Sequence, residues 1–182
     1  VQVVVGTAGA VLWYSAPGAE EVGDSFPLST SPVIINLVSD TLIYSGCTDD
    51  GKFYGIKLGN GHVGQTGKAV DPEISDFDAH PAYCEATGHI IVGNSEDGRL
   101  YAFTTSLNEA WHYPDSGPSR SWSPAAINGN KLYTVYSATT GGNDSLMYFD
   151  DYASGSPTQV AYYLSAGIPE RSAPIVDYQG NV

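Results

Sequence analysis

The amino-acid sequence predicts an all-β protein, a β-propeller built of four-stranded antiparallel blades. Short apolar runs alternate with polar turns along all 182 residues, and 21 glycines and 11 prolines leave little room for long helices. The segments 46–56 and 93–103 align with each other at a distance of 47 residues, including an acidic Gly turn and a tyrosine. Repeats of 43 to 50 residues that each hold four short strands are typical of propeller blades.

The first two strands of each repeat follow an X-Pro pair. An apolar run of two or three residues comes after the pair, then a polar turn, then a second apolar run. In one repeat the turn contains Asn128-Gly129, a dipeptide that strongly favours a β-hairpin. We therefore expect the first and second strands to pair through a tight turn. The X-Pro pairs are Ser31-Pro32, His80-Pro81, Ser123-Pro124 and Ala173-Pro174.

The third strand of each repeat carries a tyrosine. Tyr54, Tyr101 and Tyr148 are spaced by 47 residues, and we expect them at equivalent positions of their sheets. The window 99–113 is the one stretch that could also form a helix, but residues 104–106 are Thr-Thr-Ser, which compete with the helical backbone for hydrogen bonds. We interpret this window as two strands and a turn.

The repeats place the whole chain, 1–182, in a single propeller region that shows about four blades. The copies are 1–28 (partial), 29–70, 79–115, 121–165 and 171–182 (partial). The first copy lacks its first strand, and the last copy stops after one strand. We expect these blades to belong to a ring of seven or eight, because a four-bladed ring leaves little room at its axis. Two alternatives remain: closure of a four-bladed ring by the terminal strand, or a homodimer in which two chains exchange these strands and complete one propeller.

The net charge of the chain limits the classes of partner that it is expected to bind. Lys plus Arg number 7 and Asp plus Glu number 20, so the net charge is −13. A nucleic-acid surface needs clustered basic residues, so no nucleic-acid partner is expected. There is no run of 18 apolar residues, and no membrane span is predicted. An acidic surface would suit cationic partners or divalent ions, although simple solvation explains it with fewer assumptions.

Two cysteines, Cys47 and Cys84, are too few for a disulfide framework and form no zinc motif. Cys47 follows a second strand, whereas Cys84 ends the first strand of the next repeat. These two strand ends lie at opposite faces of a propeller, beyond the separation that a disulfide allows. The sequence therefore predicts two free thiols.

The acidic turns between second and third strands are candidate calcium sites. Carboxylate oxygens are hard ligands that suit calcium, and several turns on one face would bring them together. Asp-Gly is also a common tight-turn dipeptide, however, and the spacing is not that of an EF-hand, so a purely structural turn is the favoured interpretation. The candidate ligands are Asp49, Asp50, Glu96, Asp97 and Asp144.

His80 stands where the other repeats have Ser or Ala before Pro. It could face a central channel as a ligand or base, but a structural hydrogen bond is the favoured role. Residue counts leave Ser-His-Asp catalysis open, yet there is no Gly-x-Ser-x-Gly elbow that would support it. The sequence thus leans against an enzyme without deciding the question.

Three motifs carry a family resemblance: Ser123-Pro124-Ala125, the Val-Gly-Asn-Ser-Glu-Asp-Gly-Arg-Leu-Tyr-Ala run at 92–102, and Trp111 about ten residues later. With them the repeat resembles the PQQ-like β-propeller repeat of quinoprotein dehydrogenases and of BamB-type outer-membrane assembly lipoproteins. The resemblance implies that Trp111 packs onto the neighbouring blade and that Tyr162 takes this role in the following copy.

The resemblance implies a non-catalytic module of a secreted, periplasmic or cell-surface protein, acting in protein interaction or assembly. Its partners would be another protein or further blades of the same propeller, and no cofactor is predicted. A fragment of a PQQ-dependent dehydrogenase is one alternative and would bring PQQ and calcium, although the adjacent cysteine pair of many such enzymes is absent. A carbohydrate-binding or adhesion module is the other alternative, which the 13 tyrosines keep open.

Overall fold

A computed structural model describes most of the chain. The described residues are 2–5, 11–15, 30–36, 41–46, 52–59, 62–69, 79–114, 120–138, 144–151, 158–165, 173–177, 179 and 181–182. Within these ranges the regular elements are all strands, with no helix. The strands are β1 (Gln2–Val5), β2 (Val11–Ser15), β3 (Val33–Asn36), β4 (Thr41–Gly46), β5 (Lys52–Gly59), β6 (His62–Ala69), β7 (Ala82–Cys84), β8 (His89–Gly93), β9 (Leu100–Thr104), β10 (Glu109–Tyr113), β11 (Arg120–Trp122), β12 (Ala126–Asn128), β13 (Lys131–Ala138), β14 (Asp144–Asp150) and β15 (Thr158–Ser165).

The strands form antiparallel sheets in which, apart from β11 and β12, each strand pairs with its neighbour along the chain. Strands β1 and β2 pair with each other, β3 to β6 form sheet I, β7 to β10 form sheet II, and β11 to β15 form sheet III. Sheets I and II are therefore four-stranded meanders, which the repeated strand-turn pattern predicts. The all-β, antiparallel prediction is confirmed.

Sheet III has five strands because its first strand is interrupted. Both β11 and β12 pair with β13, and Ser123-Pro124 lies between them. Proline has no backbone N–H and cannot continue the ladder. The Ser123 hydroxyl oxygen compensates by accepting the Val135 backbone N–H at 2.9 Å, while the Thr134 hydroxyl donates to the Ser123 carbonyl at 3.0 Å. In sheet III the Ser123-Pro124 pair therefore forms a break in the first strand, and side-chain hydrogen bonds bridge this break.

The hairpin predicted at Asn128-Gly129 is confirmed. Asn128 pairs with Lys131, which leaves a two-residue loop of Gly129 and Asn130. Gly129 has φ of 63°, the left-handed value that the first position of a type II′ turn requires and that glycine adopts without strain.

Sheet II lies between sheets I and III and is covered on both faces. Along β8, Ile90 and Val92 pack toward sheet I, whereas Ile91 packs toward sheet III, as the period-two alternation of a strand dictates. The junction of sheets I and II contains Ile35, Tyr44, Phe53, Ile90, Val92, Tyr101, Phe103 and Leu107. The junction of sheets II and III contains Cys84, Ile91, Leu100, Ala102, Trp111, Trp122, Leu132, Met147 and Phe149.

The first strands of successive sheets lie next to each other. Strand β3 contacts β7, and β7 contacts β12. With face-to-face packing of the sheets, this contact gathers the first strands on one side of the assembly. The arrangement is the radial stacking of sheets about an axis that a propeller requires.

The expectation of three equivalent tyrosines is wrong for Tyr148. Tyr101 is buried between sheets I and II. In sheet III the side chains that face the preceding sheet are Met147 and Phe149. Tyr148 lies between them on β14 and therefore projects from the opposite face, where its ring stacks on Tyr133 with 5.0 Å between centroids. An interval that is off by one residue moves a side chain to the other face of its sheet.

The window 99–113 forms two strands and a turn, as predicted. Strands β9 and β10 flank a loop in which Leu107 has φ of 58°, a left-handed value that is unfavourable for a leucine. The loop is held onto sheet I: the Leu107 side chain is buried beside Gly55, and the Tyr44 hydroxyl donates to the Thr105 carbonyl at 2.6 Å. Packing against a neighbouring sheet thus stabilises a strained turn.

We predict that Leu107→Ala lowers the free energy of unfolding by about 2–5 kcal/mol, because it leaves a cavity at the junction of sheets I and II. Ile175→Ala is the matched control, since Ile175 is 85% exposed and its truncation should cost about 0.5 kcal/mol or less. Urea denaturation of both variants measures the difference. Equal losses in the two variants would contradict the assigned role of Leu107.

Candidate functional site

Asp151 directly follows β14, is fully buried and accepts hydrogen bonds from several side chains. Its Oδ2 accepts the Thr87 hydroxyl at 2.5 Å, and its Oδ1 accepts the Trp111 indole N–H at 2.8 Å. His89 Nδ1 lies 2.9 Å from Oδ1 and 3.1 Å from Oδ2. Because an ionised carboxylate only accepts hydrogen bonds, His89 carries a proton on Nδ1. Three side chains of sheet II thus converge on one carboxylate of sheet III.

Thr87, His89 and Asp151 are the residue types of a hydroxyl-imidazole-carboxylate triad, but they are not connected as one. In nucleophilic catalysis the hydroxyl gives its proton to the imidazole, and the carboxylate orients the imidazole. Here the hydroxyl and the imidazole both donate to the same carboxylate. Asp151 therefore restrains Thr87 instead of helping His89 to activate it. The three residues connect sheet II to sheet III.

The hairpin loop of sheet III completes this junction. The Asp151 backbone N–H donates to the Asn130 carbonyl at 2.8 Å, and the Asn130 side-chain amide donates to the Asp151 carbonyl at 3.1 Å. The buried Cys84 thiol donates to the Gly129 carbonyl at 3.4 Å. We call Thr87, His89, Trp111, Asn130 and Asp151 the Asp151 junction.

Cys84 ends β7 and is a free thiol, as predicted. Burial raises the pKa of this thiol above its ordinary value, which disfavours the reactive thiolate. Cys47 lies outside the described residues, so the prediction for its thiol stays open.

The acidic turn of sheet II uses its carboxylate for its own closure. Asn94 Oδ1 accepts the backbone N–H groups of Glu96 and Asp97 at 3.0 and 3.2 Å. Asp97 Oδ1 accepts the Arg99 N–H at 3.0 Å, and Asp97 Oδ2 accepts the Tyr101 hydroxyl. Both oxygens of Asp97 are therefore occupied within the turn, an arrangement that fits an Asx turn better than a calcium ligand.

The other calcium candidates are not brought together by the described structure. Asp49 and Asp50 lie outside the described residues. Asp144 begins β14 and only its backbone is described. Within the described part of the chain no three His, Cys, Asp or Glu side chains form a group that could hold a metal ion.

Trp122 closes the acidic turn from the next sheet, a role that sequence reasoning missed. Its indole N–H donates to the Gly98 carbonyl at 2.9 Å. A Cβ on Gly93 would lie 2.4 Å from the Trp122 Cβ, so only glycine fits at this contact. The available signal was the Trp directly before Ser123-Pro124, at the start of a repeat rather than at its end.

Trp111 packs within the junction of sheets II and III and bonds to Asp151. The resemblance implies this neighbour-directed packing. Tyr162 lies opposite Met147 in the pairing of β14 and β15, and its side chain is outside the described structure.

His80 makes a structural hydrogen bond across a sheet junction. It is exposed, and its Nδ1 accepts the backbone N–H of Ser31 at 2.7 Å. Both residues stand immediately before the proline of their repeat, so the bond joins equivalent positions of sheets I and II. This geometry fixes the Nε2–H tautomer of His80.

Comparison with known proteins shows the fold. No protein-family model matches the chain, and no curated protein matches it. A crystal structure of BBS1N in complex with ARL6DN, soaked with mercury, is similar to it with a TM-score of 0.56 and 17% sequence identity, over 98% of this chain and 55% of that chain. A second crystal structure of that complex, soaked with lead, has a TM-score of 0.47 and 16% identity over 75% of this chain and 40% of that chain.

BBS1N is a β-propeller, and the radially stacked sheets described above agree with that likeness. The chain is therefore a protein of β-propeller fold. It spans about 55% of the length of the BBS1N chain that it matches. The described segments contain no helix with the length and apolarity that a membrane span requires.

We predict that Asp151→Ala lowers the free energy of unfolding by about 3–5 kcal/mol, because Thr87, His89 and Trp111 lose their common acceptor. Asp150→Ala is the matched control: Asp150 is half-exposed and accepts only the Tyr148 hydroxyl among the described contacts, so about 1 kcal/mol or less is expected. Urea denaturation compares the two variants. A similar loss in both would show that Asp151 has no special role.

We also predict alkaline destabilisation through Tyr44. Burial raises the pKa of Tyr44 from 10.0 to about 12, and the negative charge that Tyr83 gains on ionisation adds to the rise. The unfolded chain therefore releases this proton at lower pH than the folded chain, and stability falls as pH rises from about 10 to about 12.

Tyr44→Phe removes this titration but leaves the buried Tyr101, whose pKa burial also raises. The loss of unfolding free energy between pH 9 and pH 11.5, about the window of the Tyr44 shift, should therefore be smaller in the variant than in the wild type. Denaturant unfolding at these pH values measures both losses. Identical losses would exclude Tyr44 as a contributor.

Proposed function

We propose that this chain is a non-catalytic β-propeller module of the PQQ-like type that acts as a protein-interaction or assembly scaffold in a secreted or periplasmic protein. In this proposal sheets I, II and III are successive blades. The observation that carries it is the role of Thr87, His89 and Asp151, which resemble a catalytic triad in residue type but hydrogen-bond sheet II to sheet III.

The Asp151 junction is the main support for a non-catalytic role. Thr87 and His89 donate in parallel to Asp151, so neither is activated by the other. Both carboxylate oxygens of Asp97 accept hydrogen bonds from nearby residues of the same sheet, Arg99 and Tyr101. Because both of these oxygens already accept hydrogen bonds, the proposal includes neither calcium nor PQQ.

The exposed surface is the part of the module that remains for a partner. In the described structure exposed carboxylates lie at both ends of sheet II, with Glu96 at one end and Glu85 and Glu109 at the other. The chain as a whole carries a net charge of −13. Such a surface favours a protein partner with a basic face, and their association should weaken as salt rises.

The likeness to BBS1N supports the interaction role by analogy of fold. That propeller was crystallised in complex with ARL6DN. Because one fold hosts many functions, the analogy supports the class of function and does not name the partner of this chain. The motifs Ser123-Pro124-Ala125 and 92–102 support the PQQ-like type and, through it, a location outside the cytoplasm.

Site-directed photo-crosslinking in the native host tests the proposal. A photoreactive residue is placed at Glu96 or at Glu85, which sample opposite ends of sheet II, with buried Ala102 as the matched negative position. We expect a discrete protein adduct from one of the two exposed positions. The adduct protein is then purified, and its binding to the wild type and to the Glu96→Arg and Glu85→Arg variants is measured at low and high salt.

An interaction surface is supported if the variant with the charge reversal at the crosslinking position loses binding while the other variant retains it. No adduct from either position, together with dye reduction by the chain in the presence of PQQ and calcium, would favour the dehydrogenase alternative. Specific signals on a glycan array without a protein adduct would favour the carbohydrate-binding alternative. Either of these two outcomes would overturn the proposal.

A further inference from the structure

The loop between β12 and β13 combines a chemically labile dipeptide with contacts to the Asp151 junction. Asn128 is half-buried at the end of β12, and Gly129 follows it as an exposed residue. Gly129 has no atom within 4 Å of the position where a Cβ would lie, so the loop is open at this point. Asparagine side chains are among the thermally labile groups of proteins. When glycine follows asparagine, the glycine backbone nitrogen can attack the asparagine side chain with the least steric hindrance, because glycine has no side chain.

We propose that Asn128 is a site of spontaneous deamidation whose product loosens the junction of sheets II and III. The Gly129 backbone nitrogen attacks the Asn128 side-chain carbonyl carbon and loses its proton. A C–N bond forms, the Cγ–Nδ2 bond breaks, and the NH₂ group takes up a proton and leaves as ammonia. Water then opens the resulting five-membered imide at either carbonyl. The products are aspartate, or isoaspartate with one additional carbon in the main chain, and each carries a new negative charge.

The turn geometry leaves the attacking nitrogen available. Asn128 and Lys131 are the paired residues that close the two-residue loop. The hydrogen bond of such a turn joins its first and fourth residues, so the Gly129 N–H takes no part in it. Asn94 offers the opposite case within the same chain, because it is fully buried, its Oδ1 accepts two backbone N–H groups, and Ser95 follows it.

The position of the loop gives the modification a structural consequence. The Gly129 carbonyl accepts the Cys84 thiol, and the Asn130 carbonyl accepts the Asp151 backbone N–H. An extra main-chain carbon at residue 128 displaces both carbonyls. The new charge also lies in the loop that holds Asp151, which is itself a carboxylate without exposure to solvent. The buried Cys84 thiol thereby becomes a reporter of the modification.

The test uses the full chain carrying Asn60→Gln, which removes the second Asn-Gly dipeptide of the sequence, Asn60-Gly61. The folded protein is incubated at mildly alkaline pH and physiological temperature, and peptide mass spectrometry follows the exchange of –NH₂ for –OH at Asn128. Fragmentation that separates aspartate from isoaspartate identifies the product. In parallel, iodoacetamide alkylation of Cys84 is measured before and after incubation.

We expect the mass change to accumulate at Asn128 and not at Asn94, and Cys84 alkylation to accelerate in step with it. The additional variant Asn128→Gln should lose both the mass change and the acceleration. Asn128→Asp, which supplies one product without incubation, tests the charge alone and should show faster alkylation from the start. The inference is overturned if Asn128 stays intact in the folded protein while it deamidates in denaturant. It is equally overturned if Asn128 converts fully and Cys84 alkylation does not change.

Discussion

The carboxylate of Asp151 is the interaction on which the joining of sheets II and III depends. A buried charge is costly unless several donors satisfy it, and here Thr87, His89 and Trp111 all come from the neighbouring sheet. Removal of the Asp151 side chain would take this shared acceptor from all three donors. The carboxylate therefore adds directional hydrogen bonds to the apolar packing between these two sheets.

Apolar side chains bury surface on both faces of sheet II, and polar contacts make the packing of the sheets specific. Aromatic rings continue from sheet I into sheet II, with 5.4 Å between the centroids of Phe53 and Phe103. Across the other junction Tyr113 meets Phe149 edge-on at 5.0 Å. Such pairs add to burial but tolerate small shifts. Hydrogen bonds between sheets are more sensitive to such shifts, because they depend on distance and angle. They join Tyr44 to Thr105, Ser31 to His80 and Trp122 to Gly98.

The sequence was informative wherever a property is local. Turn chemistry predicted the Asn128-Gly129 hairpin, and competition for backbone hydrogen bonds predicted that 99–113 is not a helix. The interval of 47 residues located the third strands but failed for Tyr148, because the face of a strand depends on the parity of the interval and one residue reverses it. Repeat length is conserved only to within a few residues in this chain, so parity could not be known in advance.

The polar centre of the structure was not predictable for a related reason. His89 and Asp151 are 62 residues apart, and neither lies in a recognisable motif. Asp151 follows a strand at a place where any polar residue would suit a turn. Only the stacking of sheet III on sheet II shows that its side chain turns inward. Trp122 was overlooked because a Trp at the end of a repeat was expected to be the docking residue, and this one stands at the start.

The contacts between sheets have a consequence for how such a chain can be rearranged. At each junction the two sheets contribute different groups. Sheet II donates hydrogen bonds to the Asp151 carboxylate of sheet III, and a carbonyl in its β9–β10 loop accepts a hydrogen bond from the Tyr44 hydroxyl of sheet I. Sheet II moved into another protein without sheet III would bring Thr87, His89 and Trp111 without their common acceptor, and Asp151 would remain behind without these three donors. Because Thr87 and His89 lie near β7 and β8 while Trp111 lies on β10, at the other edge of the sheet, the contacts to Asp151 can be transferred intact only if sheets II and III are transferred together.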